Sequence, residues 1–160
     1  MTVADNRHLG RHIVIHTDGA CIGNPGPGGW AAILQSMDGA KQLKRGTASG
    51  SDKDTTNNKM ELTAAIEALK MIKSDSPVFL RSDSQYLIKG ITEWLEGWKA
   101  KGWRNAQRKP VLNRDLWEEL EALVTGRSII WEWVRGHNGD PMNEEVDQLA
   151  NEAARKAAFA

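Results

Sequence analysis

Residues 12–34, HIVIHTDGACIGNPGPGGWAAIL, decide the fold class. HIVIHT (12–17) is a short β-rich run that stops at Asp18. GNPGPGG (23–29) is turn chemistry, and WAAIL (30–34) is a second apolar run, so the stretch reads as a β-hairpin. Working outward, Asp38-Gly39 signals a tight turn. Residues 40–48 are polar and weakly alternating, which predicts a third antiparallel strand at a sheet edge.

The period then changes. Over residues 57–74, Leu62, Ala65, Ile66, Leu69 and Ile72 fall at helical spacing with Glu67, Lys70 and Lys73 opposite, which predicts an amphipathic helix. Pro77 ends it, and VFLRSD (78–83) is a compact apolar run that stops at Asp83 much as the first stopped at Asp18. Strand, helix, strand predicts a parallel crossover. Residues 84–98 read as a second helix and 97–114 as a loop or interrupted helix broken by Gly102 and Pro110. Residues 113–124 read as a third helix capped by Asn113. SIIWEWVR (128–135) is another strand, and GHNGDP (136–141) a loop. The last helix spans about 143–159 and carries the small apolar face Val146, Leu149, Ala150, Ala153, Ala154 and Ala157. The expectation is one mixed-sheet α/β domain over residues 1–160.

A chain of 160 residues suits one domain with a sizeable core. Lys plus Arg and Asp plus Glu both number 21, so the net charge of 0 excludes a uniformly basic binder. The average hides an asymmetry. GWKAKGWRNAQRKPVLNR (97–114) holds six basic residues and no acidic one, leaving the other 142 residues at −6. That segment, interleaved with tryptophan, suits a local polyanion contact. The one cysteine, Cys21, cannot form an intramolecular disulfide and there is no Asn-x-Ser/Thr sequon, so the expected compartment is the reducing cytoplasm. Neither a signal h-region nor an apolar run of membrane-spanning length is visible, so no membrane partner is expected.

Four acids sit where an α/β core would not choose them. Asp18 and Asp83 end strands, and strand ends at one sheet edge are where α/β sites assemble. Glu61 borders the apolar stripe of the first helix, and Asp147 follows Val146 early in the last. Singly, each has an ordinary structural role as turn former, strand end, first-turn carboxylate or surface acid. Converged, they would repel one another and raise their pKa values unless a dication neutralised them, and an all-oxygen set suits magnesium or manganese. His137, between Gly136 and Asn138, is on its own an ordinary loop histidine.

The segments TDGACIGNPGPGGWAAIL (17–34), TTNNKMELTAAIEAL (55–69), SDSQYLIKGITEWLEGWKAKGW (82–103), NRDLW (113–117) and WEWVRGHNGDPMNEEVDQLA (131–150) closely resemble bacterial ribonuclease H of type 1, collinearly over nearly the whole chain. The resemblance implies a five-stranded mixed sheet, three antiparallel strands then parallel ones, flanked by helices, with a basic handle over about 94–114. It implies that Asp18, Glu61, Asp83 and Asp147 hold two magnesium ions, for which manganese can substitute, and that His137 assists turnover by proton handling or product release. Two dications about 3.5–4 Å apart can activate water and stabilise the departing oxygen of a phosphodiester. The implied substrate is an RNA/DNA hybrid whose RNA strand is cut to 5′-phosphate and 3′-hydroxyl ends. Asn24, Asn57, Asn58 and Gln85 match positions that touch the minor groove, where amides can donate to and accept from 2′-hydroxyls. Gly19 and Cys21 belong to the same matched turn, with Cys21 a contact or packing residue. Thr56 matches a DNA-phosphate contact and Trp94 a handle aromatic near a deoxyribose. Lys99, Lys101, Arg104, Arg108 and Lys109 would line the hybrid backbone, with Trp98 and Trp103 packing the handle together. Gly97, Ala100 and Asp54 depart from the commoner pattern toward less positive or less polar character, which implies weaker substrate binding. The architecture is expected to be monomeric, without an obligate protein partner.

Three rival readings lack the residues they need or leave residues unused. A catalytically silent hybrid-binding module would not need the full carboxylate set. A proofreading exonuclease carries an acid-x-acid pair on its first strand, whereas Asp18 is followed by Gly19-Ala20. A nucleotide hydrolase needs Gly-Lys-Ser/Thr, which GNPGPGG lacks.

Overall fold

The computed structural model describes residues 10–136 and 138–159. The chain opens with an antiparallel meander of β1 (Arg11–Cys21), β2 (Gly26–Asp38) and β3 (Lys41–Thr55). Helix α1 (Asn57–Lys70) crosses to β4 (Val78–Ser82), which lies parallel to β1 on the side away from β2. Then come α2 (Gln85–Lys89), a π-helical turn (Gly90–Trp94), α3 (Leu95–Ala100), α4 (Arg114–Val124), β5 (Ile129–Trp133) parallel to β4, and α5 (Pro141–Ala158). The sheet order is β3-β2-β1-β4-β5, the mixed five-stranded arrangement expected.

Strand alternation divides the core between the two faces of this sheet. Ile15, Ala32 and Leu80 pack with Leu62, Ile66 and Leu69 of α1 and with Trp117 and Leu120 of α4. Ala31 and Ile33, pointing the other way along β2, pack with Val146, Ala150 and Ala154 of α5. The small residues of α5 serve close approach. A side chain on Gly29 would stand 2.4 Å from the Ala154 backbone nitrogen, so helix backbone and strand backbone meet directly.

Several boundaries move. β2 takes in Gly26–Gly29 and β3 runs on to Thr55, because ladder pairing continues through Gly-rich and polar residues that carry no apolar signal. The helix expected over 84–98 is interrupted by the π-helical turn, which begins at Gly90 where the Trp117 ring presses against the backbone. Asn113 does not cap α4. It adopts a left-handed conformation (φ 61°), and its amide instead donates to the Tyr86 hydroxyl at 3.1 Å. α5 starts two residues earlier than expected: Asp140 Oδ1 accepts from the Met142 and Asn143 backbone nitrogens at 3.0 and 3.3 Å, with Pro141 in the first turn.

The handle is built on tryptophan. Trp94, Trp98 and Trp103 follow one another with ring centroids 5.9 and 6.5 Å apart, and Trp98 also packs edgewise on Trp117. Trp103 is buried and its outer face carries the Arg114 guanidinium at 5.1 Å, a cation–π contact. The Trp98 and Trp103 rings pack the handle together, as expected.

Candidate active site

The β1–β4 register sets the site. Thr17 pairs with Ser82, so the next residues, Asp18 and Asp83, stand at the same height; Asp83 follows the end of β4, but Asp18 does not end β1 as expected, because pairing with β2 carries that strand on to Cys21. The turn after Asp83 is fixed locally: Ser82 Oγ accepts from the Ser84 nitrogen at 3.0 Å, and Ser84 caps α2 by accepting from the Leu87 nitrogen at 3.0 Å. Thr56 caps α1 by accepting from the Lys59 nitrogen at 3.2 Å, and α1 then delivers Glu61 in its second turn. Gly19 lets that turn seat directly on β1.

The result is a carboxylate cluster. Asp18, Glu61 and Asp83 each offer an oxygen within 4.8 Å of the other two. Asp18 is 3% exposed and Glu61 4%. Asp18 Oδ1 accepts from the Gly19 nitrogen at 2.9 Å, but Asp18 Oδ2 and Glu61 Oε1 are buried with no hydrogen-bond partner. Burial is the main cause that pushes Asp18 up to about 9, with the charge of Asp83 and then the side chain of Asp147 adding to it. Glu61 is likewise driven well above the ordinary carboxylate range, by burial first and then by Asp18 and Asp83. Asp147 is half-buried on α5 and is an electrostatic neighbour of Asp18, outside the tight group of three.

Buried carboxyl oxygens without donors are costly to leave bare. A divalent cation that prefers oxygen would satisfy both orphaned oxygens and return the carboxyls to their ionised form. The donor set therefore fits the metal that the acids suggested.

The other expected residues surround this end of the sheet. Asn24 Oδ1 accepts from the Asn57 nitrogen at 2.9 Å, tying the β1–β2 turn to the start of α1. Asn57 is half-buried, and Asn58 and Gln85 are exposed. Cys21 Sγ lies 3.5 and 3.4 Å from the carbonyl oxygens of Gly26 and Thr55, which share its single S–H, and burial raises its pKa, so it braces the turn. Trp94 is 37% exposed on the handle. Lys101, Arg104 and Lys109 are exposed, with an Arg104 guanidinium nitrogen also donating to the Arg108 carbonyl at 3.0 Å. Lys99 differs from its basic neighbours, because its ammonium pairs with Glu121 and, at 3.4 Å, with Glu96. His137 lies outside the described residues. Its neighbour Gly136 sits against Asp83, where an added side chain would meet Oδ2 at 2.7 Å.

Sequence reasoning missed Gly136 in this packing role and missed Trp133, whose indole nitrogen donates to the Asp83 carbonyl at 3.1 Å. The available signal for Trp133 was an aromatic at the end of the strand beside the Asp83 strand.

The family model for RNase H matches residues 10–155. The chain is 56% identical over 149 residues to Ribonuclease H of Polaromonas naphthalenivorans, covering 92% of this chain and 89% of that protein. It is 57% identical over 141 residues to Ribonuclease H of Geotalea uraniireducens, covering 88% and 92%. Among solved structures it is similar to LC9-RNase H1, described as a type 1 RNase H with the type 2 active-site motif, at 32% identity and TM-score 0.82, covering 92% of this chain and 74% of that one. Sheet order, carboxylate placement and these likenesses agree: the chain belongs to the ribonuclease H family, in its bacterial type 1 branch.

Proposed function

We propose that the chain is an endonuclease that hydrolyses the RNA strand of RNA/DNA hybrids, leaving 5′-phosphate and 3′-hydroxyl ends. The observation that carries this reading is the convergence of Asp18, Glu61 and Asp83 with buried, partnerless oxygens. These three, with Asp147, would hold two magnesium ions, manganese being the substitute. Divalent ions bound there supply water activation and charge neutralisation at the phosphodiester.

The chain's own residues do the rest. Asn24, Asn57, Asn58 and Gln85 present amides that can read ribose 2′-hydroxyls, with Gly19 and Cys21 shaping the turn beneath them. Thr56 takes a DNA-strand phosphate. The handle side chains Lys99, Lys101, Arg104 and Lys109 attract the duplex backbone, and Trp94 packs on a deoxyribose. His137 serves turnover by moving a proton or releasing product. Because all four carboxylates come from one chain, one copy suffices, and we assign it to the cytoplasm, where its single cysteine stays reduced. No helix among the described residues is long and apolar enough to cross a membrane.

The test is one sequence prepared as RNA/DNA hybrid, double-stranded RNA and double-stranded DNA, each assayed with magnesium and with chelator, reading product ends. Cutting confined to the hybrid, dependent on magnesium and giving 5′-phosphate ends, is expected. Asp18→Asn should bind hybrid and fail to cut. Tight hybrid binding by the unaltered chain without cutting would replace this reading with a binding-only module.

A further inference from the structure

Trp133 ends β5 with 45% of its surface exposed. A tryptophan left in water forgoes much of its burial gain, and one held in a fixed pose beside a reactive cluster offers its ring face to a partner. Its pose is fixed by the indole N–H, which donates to the backbone carbonyl of Asp83 at 3.1 Å. Alongside the ring lies a groove of about 200 Å³, lined by Gln85, Ile88, Lys89, Glu93 and Trp133. Ile88 is nearly buried, whereas Gln85 and Lys89 are exposed. Gln85, in the wall of this groove, stands two residues after Asp83 in the chain.

We propose that Trp133, Gln85 and Lys89 form a subsite for the RNA strand beside the scissile phosphate. This assignment rests on the hybrid-cleaving reading given above. The strand follows from position. Asp83 must face the scissile phosphate, so whatever fills a groove hydrogen-bonded to the Asp83 backbone belongs to the same strand, at a near-neighbour nucleotide. The bases of a duplex are stacked inside, so the indole face packs on the ribose, and the Gln85 amide reaches the 2′-hydroxyl. Lys89 supplies the cation for the adjoining phosphate. Glu93 repels phosphate from the other wall, which orients the strand.

Trp133 would thus be a substrate-binding residue, and the competing account is that it merely pins the Asp83 backbone. The two separate on conservative substitution, because Trp133→Phe keeps a ring face and loses the N–H. Hybrid affinity is measured in the Asp18→Asn background, where no cutting intervenes, together with melting temperature. Trp133→Ala is expected to weaken hybrid binding about tenfold, from the apolar contact area lost, and Trp133→Phe no more than about threefold. Lys89→Ala should lower the dependence of binding on salt by about one phosphate contact. Unchanged affinity in Trp133→Ala overturns the subsite. So does an equal affinity loss in Trp133→Ala and Trp133→Phe accompanied by equal losses of melting temperature, since that is the pattern of a backbone pin. Should Asp18→Asn itself show no preference for hybrid over double-stranded DNA, the failure lies with the underlying reading, and the subsite falls with it.

Discussion

A methyl group on Gly19 would stand 2.5 Å from the backbone nitrogen of Glu61, so the strand that carries one buried carboxylate touches the helix that carries another with no side chain between them. Gly19→Ala forces that contact open. Overpacking of this kind costs about 1–3 kcal/mol of stability. Because the carboxylates must stay in register, cleavage should fall about 100-fold. Thermal melts and hybrid-cleavage rates on the same preparation check this, and near-normal cleavage would show that the strand–helix gap adjusts.

The metal-free protein should become less stable as pH rises. Burial lifts Asp18 from 3.8 to about 9 and lifts Glu61 in the same direction. The native state therefore keeps protons that the unfolded chain has released. The associated stability is fully present below 3.8 and is lost as pH rises toward about 9. The melting temperature of chelator-treated protein should decline between about pH 6.5 and 9, and saturating magnesium should flatten the decline. A melting temperature that climbs across that interval without metal would contradict the burial argument.

His16 gives the opposite sign in acid. It is 3% exposed, and burial, aided by the charge of Arg81, lowers it from 6.5 to about 4. Its contribution is present above 6.5 and disappears as pH falls through about 4, because the unfolded chain takes up the proton first. His16→Gln removes this proton linkage. Between pH 6.5 and 4 the unaltered protein should lose about 3 kcal/mol more than the variant. Parallel denaturant titrations at both pH values would show it, and identical acid losses would refute it.

Gly90→Ala sets two effects against each other. Alanine is the better helix former by about 1 kcal/mol. Its Cβ, however, would lie 2.1 Å from the ring of Trp117, which is fully buried and walled by Tyr86 and Trp98. The ring has no room to retreat, so the overlap wins and a net loss of about 1–3 kcal/mol is expected. Calorimetry decides the sign.

Within the handle, charge is not shared evenly. Lys99 is engaged by Glu121 and Glu96, whereas no ion pair involves Lys101 among the described residues. Lys101→Ala should therefore reduce the salt dependence of hybrid binding by about one contact, and Lys99→Ala by less. Affinities at several salt concentrations separate the two, and equal slopes would remove the distinction.

Much of this was readable from residue order. The hairpin, the crossover and the strand end at Asp83 follow from period and turn chemistry, whereas Asp18 lies inside β1, whose pairing with β2 runs on to Cys21 through small residues that carry no apolar signal. Convergence of the acids does not follow from period or turn chemistry. Glu61 reaches Asp18 because Gly19 admits the helix, a close approach that leaves no mark on hydrophobic spacing. The same holds for the π-helical turn, which answers to Trp117, twenty-seven residues away from Gly90 in the chain. Asn113 has the composition of a cap, but the demand of the Tyr86 hydroxyl for a donor overrode local preference.

That hydroxyl accepts from Asn113 at 3.1 Å and from the indole nitrogen of Trp117 at 3.1 Å, and it stands three residues after Asp83. The handle and the cutting centre are thereby bolted to one post. Under the proposed function, a duplex gripped by the handle would meet the cutting centre at a set offset, so the molecule would measure along its substrate as a fixed gauge does, with the spacing between grip and cut a property of the fold.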